Sequence, residues 1–174
     1  MRSDKRLLAI IGVGNTLAGD DGAGVEAVRR LETRWGGEPD VFFHTIEGDH
    51  FEIADLLDSA DRFIFVDAVS GEQPGEVVRM GETRRAFAPS FHQTDIAAVM
   101  QTLEALKIVD PFPAWEVWGV TIIPPAELGE GLNPEVAEGV ERLCRKLDEL
   151  IGETIGKGFP LSLALSHRGE RGFR

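Results

Sequence analysis

Cysteine is almost missing from this chain of 174 residues: Cys144 stands alone, so no disulfide can close within it. Cations are scarce as well, with 18 Lys and Arg against 30 Asp and Glu and a formal net charge of -12. Nucleic-acid binding rests on clustered Lys and Arg that displace counterions, so that class is excluded, and anionic membrane surfaces are disfavoured for the same reason. Long apolar runs are lacking too. No stretch approaches the roughly 20 apolar residues of a membrane-spanning helix. The opening MRSDKRLLAIIGVGN has too short an apolar run for a signal peptide, and the expectation is a soluble, cytoplasmic protein without membrane insertion.

Several catalytic patterns are also missing. There is no Gly-x-Ser-x-Gly elbow, no Cys-x-x-Cys and no His-Glu-x-x-His helix. What remains is a chain with 43% hydrophobic residues, enough for one sizeable core.

Leu7 to Val13, LLAIIGV, is a continuous apolar run turning into glycine, the pattern of a parallel strand buried on both faces. Val25, Val28, Leu31 and Trp35 then recur at helical spacing. DVFFHTIE from Asp40 reads as a second strand, HFEIADLLDSA as a short helix, and Arg62 to Val69, RFIFVDAV, as a third strand. GEQPGEVVRM gives a turn and a fourth strand, and GETRRAFAPS a loop. Ser90 and Gln93 have capping-box spacing, so a helix is expected to open there and run through TDIAAVMQTLEALK. WEVWGVTII is the last strand. Asn133-Pro134 reads as an N-cap and first-turn proline, ahead of a stripe formed by Val136, Val140, Leu143, Cys144, Leu147, Leu150 and Ile151. Cys144 on that stripe reads as a core residue.

The alternation predicts a single α/β domain over residues 1–155, three-layered α/β/α, with a mainly parallel sheet of about five strands. Residues 156–174 read as a loose or partner-dependent tail. Ligands belong at the carboxyl ends of such strands, near a switch in strand order.

The first strand delivers GVGNTLAGDDGAG at that edge. Gly12 and Gly14 are followed by Leu17 where a dinucleotide fingerprint needs its third glycine, and no Lys-Ser/Thr pair follows as in a P-loop. Asp20 and Asp21 would repel a diphosphate. One of the two acids is expected to cap the next helix. A cap needs a single carboxylate, however, and two side by side raise each other's proton affinity unless a cation relieves them.

Asp67 ends the apolar run RFIFV at the same edge. His92 falls in the first turn of the helix opening at Ser90, where the helix dipole disfavours protonation and leaves a neutral imidazole able to ligate. For each, an ordinary structural role is as plausible in isolation: a strand-end carboxylate bonded to loop amides, an exposed first-turn histidine. Together they make an O/O/N set suited to zinc, nickel, iron or manganese. His44 lies within a strand and His167 in the tail, whereas His50 begins a helix and is a candidate substrate contact.

GVGNTLAGDDGAGVEAV, FIFVDAVSG, FHQTDIAAVM and VWGVTIIPPAELGEGLNPEV, in that order from Leu7 to about Ile151, resemble the hydrogenase maturation endopeptidases. The resemblance implies an enzyme that removes a C-terminal extension from the large-subunit precursor of a nickel-iron hydrogenase once nickel is in place. It implies metal contact by Asp21, Asp67 and His92, with Asp20 a neighbouring cap or loop-ordering acid and Gly12, Gly14 and Asn15 shaping the turn. Nickel would arrive with the precursor, and other divalent ions are expected to occupy the site in isolation. A carboxylate, Asp21 or Asp67, could position water, or the metal could polarise a carbonyl.

One departure stands out: Glu47-Gly48-Asp49-His50 replaces the family's usual acidic residue, two glycines and threonine, which bears on substrate contact at Gly48 and His50. Two other functions use the same residues: a non-catalytic nickel-binding assembly chaperone, and a metal-dependent phosphohydrolase. The latter lacks a basic residue near the site to hold phosphate.

Overall fold

The computed structural model describes residues 6–80, 96–125 and 128–156. Five strands form one sheet: β1 (Arg6–Val13), β2 (Val41–Ile46), β3 (Ala60–Ser70), β4 (Val77–Met80) and β5 (Ala114–Ile122). Among the described residues four helices accompany them: α1 (Ala23–Trp35), the single turn α2 (Ile53–Leu56), α3 (Ile96–Ala105) and α4 (Pro134–Thr154). Strand order is β2-β1-β3-β5-β4. The first four in that order are mutually parallel, and β4 lies antiparallel on the β5 edge.

Period-two alternation along the strands divides the core into two layers. Leu8 and Ile10 of β1, with Ile64 and Val66 of β3, pack against Val28 and Leu31 of α1 and Val140 and Leu143 of α4. Ala9 and Ile11, with Phe63 and Phe65, pack instead against Ile53 of α2 and Val99 and Met100 of α3. Both faces of the sheet are therefore covered, which is why β1 and β3 read as unbroken apolar runs instead of alternating ones. Each fully buried Leu, Ile or Phe contributes on the order of 1.5–3 kcal/mol to that assembly.

The short edge strand β4 is only half-buried. It forms one edge of the sheet, consistent with the way edges are kept short in native sheets.

The expected three-layer α/β/α domain is thus what forms. The anticipated start of α3 at Ser90 and Gln93, the loop GETRRAFAPS and, past Gly156, the tail expected over 156–174 lie outside the described residues.

The placement of the first loop follows from topology. The chain leaves β1 for β2 on one side, then crosses to β3 on the other, so β1 and β3 flank the switch point. Loops leaving their carboxyl ends diverge there and open a crevice.

Candidate functional site at the carboxyl edge of β1 and β3

After Val13 the chain turns at Gly14, whose φ of +153° is a conformation that L side chains rarely adopt. A Cβ there would sit 2.2 Å from the Asp21 carbonyl oxygen. Asn15 closes the turn locally. Its Oδ1 accepts from the Leu17 amide at 3.0 Å, an Asx-type contact, and its carbonyl accepts from the Ala18 amide at 3.0 Å. Gly12 lies within β1, opposite Thr45 of β2 and Val66 of β3.

Asp20 and Asp21 belong to a 3-10 turn, Gly19–Gly22, that runs directly into α1. Both acids are buried. The entry to α1 is pressed into the switch point at Gly24, where a Cβ would meet the carbonyl oxygens of Val66 and Val13 at 2.2 and 2.4 Å. That close approach anchors the acidic turn over the ends of both central strands.

Asp67 follows Val66 in β3, in register with Gly119 of β5, and is 4% exposed. Its Oδ1 accepts the amide of Ala68 at 2.8 Å. Alternation puts Asp67 on the Phe63 and Phe65 face of the sheet, which α3 covers. Asp21 and Asp67 thus occupy one corner of the sheet edge. His92 lies outside the described residues. Among the described residues no three acid, histidine or cysteine side chains group closely enough to hold a metal ion.

The acid expected to cap α1 does something else. The N-cap position of α1 is Gly22, and no side chain caps the helix. Asp20 instead accepts two hydrogen bonds from Asn133, one from its amide to Oδ1 and one from Nδ2 to Oδ2, both 2.7 Å. Asp20 therefore orders the loop and does not cap it. Asn133 does occupy the N-cap position of α4, with Pro134 after it, yet its side chain makes no capping bond because it is committed to Asp20. Sequence spacing offers no hint of this pair, since the two residues come from opposite ends of the chain.

A second tie runs parallel to the first. The Gly129 amide donates to the Leu17 carbonyl at 3.0 Å, and its carbonyl accepts from Gly19, forming a one-residue parallel bridge. Beside these ties lies a groove of about 460 Å³ lined by Thr16, Leu17, Gly22, Arg29, Glu130 and Leu132.

The segment that departs from the family pattern also feeds this corner. Glu47, just past β2, accepts from the Thr16 hydroxyl at 2.6 Å, the Thr16 amide at 3.2 Å and Arg29 at 2.9 Å. The Thr16 hydroxyl above all, with its amide and the Arg29 guanidinium, outweighs partial burial and holds the Glu47 carboxyl below its ordinary range. Gly48 is exposed with open space around it. Asp49 accepts the Phe51 amide at 2.9 Å and so starts the helical turn at His50, which is buried. In the sequence Glu47 stood only as the acidic first residue of this stretch; its bonds to Thr16 and Arg29 are evident from the fold alone.

The fold is that of an α/β protein with an acid-bearing corner at its switch point. The family model HycI, described as hydrogenase maturation protease, matches residues 46–149. The chain belongs to the hydrogenase maturation protease family. It is 29% identical over 160 residues to the hydrogenase expression/formation protein HupD of Bradyrhizobium diazoefficiens, covering 84% of this chain and 80% of that one. Among solved structures it is similar to the hydrogenase maturating endopeptidase HybD of E. coli, with 27% identity, a TM-score of 0.65, and 90% and 98% of the two chains covered. The [NiFe] hydrogenase maturation protease HybD of Thermococcus kodakarensis gives 26% identity and the same TM-score of 0.65, covering 83% and 98%.

Among the described residues no helix is long and apolar enough to cross a membrane.

Proposed function

We propose that this protease removes the C-terminal extension of a nickel-iron hydrogenase large-subunit precursor, and does so only after nickel has been inserted. The observation that carries the reading is the presentation of two buried acids, Asp21 and Asp67, on either side of the β1/β3 switch point in a protein of this family.

In this reading nickel is part of the substrate. Asp21, Asp67 and His92 complete its coordination while the precursor's own ligands still hold it. Carboxylate oxygen and neutral imidazole suit a borderline divalent ion, and three such ligands leave room for those the precursor brings. A precursor without nickel would lack the contact that seats the scissile bond. The metal is thus a checkpoint, and binding to it positions the peptide for attack.

Hydrolysis needs an oriented water and a polarised carbonyl. Asp21 or Asp67 supplies the first as a general base, and the precursor's nickel supplies the second as a Lewis acid. The neighbouring groove has room for several residues of an extended peptide, and the exposed Leu17 at its rim offers an apolar contact.

The test is to incubate the protein with nickel-loaded and nickel-free precursor and follow precursor mass. Trimming is expected only with nickel, and Asp21→Asn, Asp67→Asn and His92→Ala are each expected to abolish it. Equal trimming of both precursors would remove the checkpoint. Tight complex formation without peptide release would point to a nickel-binding chaperone.

A further inference from the structure

The proposed site depends on Asp21 being held in place, yet Asp21 sits in a four-residue 3-10 turn within a glycine-rich loop. Short 3-10 turns have poor hydrogen-bond geometry and little intrinsic stability. Something outside the loop has to fix it. Resting on the site reading above, we infer that Asn133 is a positioning residue for this reaction: through its two hydrogen bonds to Asp20 it orients the neighbouring Asp21.

Three observations carry this. The contact satisfies both oxygens of a carboxylate that is only 6% exposed, and both bonds are 2.7 Å, the short range of charge-assisted pairs. The residue making it stands at the head of α4, a 21-residue helix packed along α1 and the sheet, so the support is rigid. Finally, Asn133 forgoes the capping bond that its position and residue type would ordinarily provide. A local rule broken without local gain is most economically read as service to a site elsewhere. The parallel bridge from Gly129 to Leu17 and Gly19 fixes the other end of the same loop. Asp20 and Asp21 thus divide the labour of the acidic pair, the first binding the scaffold and the second facing the chemistry.

The capping argument supplies a test that separates positioning from folding. In Asn133→Ser the hydroxyl can cap α4, compensating in stability, but it is too short to replace the Nδ2 bond to Asp20. The expected result is a melting temperature close to wild type, together with a 10–100-fold loss in kcat/KM on nickel-loaded precursor, the usual range for removal of a group that orients a metal-contacting residue. Binding of the nickel-loaded precursor, measured without turnover, should weaken in parallel. Asn133→Asp sets two carboxylates face to face and should lose activity as well. The exchange Asp20→Asn with Asn133→Asp keeps the bond from the residue 133 backbone amide, restores the side-chain bond with donor and acceptor reversed, and should recover most of the loss.

Wild-type processing by Asn133→Ser, or a folded double exchange that stays as defective as Asn133→Asp, would overturn the assignment. Asp21→Asn runs alongside. If it processes normally, the site reading itself falls and this inference with it; if it is inactive while Asn133→Ser is normal, only the positioning role falls.

Discussion

Asp148 of α4 accepts a hydrogen bond from Trp35 Nε1 at 2.8 Å, inside the interface between α1 and α4. Arg34 reaches its other oxygen at 2.6 Å. One buried carboxylate therefore locks the last turn of α1 to the far half of α4, and these are the helices that bear the acidic turn and Asn133. Replacing it with alanine leaves Trp35 and the largely buried Arg34 without that acceptor. Asp148→Ala should cost about 3 kcal/mol, the range for breaking a buried pair, read by urea denaturation.

The same group sets a pH dependence. Burial pushes the Asp148 carboxyl above its ordinary value, against the opposing pull of Trp35 and Arg34. A carboxyl with a raised folded-state pKa favours the fold most where it is protonated in both states, below about pH 4, and that contribution is lost as pH rises through the folded value. Wild type should therefore gain on Asp148→Asn as pH falls from neutrality toward about 4, a trend that parallel denaturation curves would show or refute.

Glu47 behaves in the opposite sense. Its carboxyl is held below its ordinary value, chiefly by the Thr16 hydroxyl, so its contribution is present above that ordinary value and is lost as pH falls through the lower folded one. Because the contact is solvent-exposed, Glu47→Gln should cost less than about 1 kcal/mol at neutral pH. The difference from wild type should vanish in acid, and a constant offset across pH would contradict the assignment.

Gly24 has no room to grow. A methyl group would lie 2.2 Å from the Val66 carbonyl oxygen and 2.4 Å from that of Val13, both backbone atoms of the central strands. Gly24→Ala should destabilise by roughly 3 kcal/mol, at the upper end of overpacking costs, and thermal unfolding would measure it. Precursor processing should decline with it, since α1 would be lifted off the switch point.

Cys144 should be inert in the native protein. Burial pushes its thiol up to about 12, and its Sγ donates only to the Ala27 carbonyl at 3.6 Å. The thiolate is the reactive form, so a disulfide reagent at mildly alkaline pH should label it only after denaturant is added. Rapid labelling of folded protein would show that the α1–α4 interface opens.

Much of this could be seen in the chain before folding. The apolar runs at β1 and β3, the stripe from Val136 to Ile151 on α4 and the polar breaks between them specify a covered, mainly parallel sheet, because period and burial are local properties of sequence. Asp21 and Asp67 were legible as site candidates for a related reason: one lies in the loop after β1 and the other toward the carboxyl end of β3, and strand ends in such sheets converge. His92, the third candidate, lies outside the described residues.

What sequence could not decide is which acid does what. Asp20 and Asp21 are adjacent and chemically identical, and local rules make either a helix cap. Only the fold brings Asn133 against Asp20 and Thr16 against Glu47, because hydrogen bonds between residues far apart in the chain depend on where the intervening strands and helices pack. Patterning determined the layers and the edge on which the acids stand; three-dimensional packing decided that Asp20, and not its neighbour, was tied to Asn133 at the head of α4.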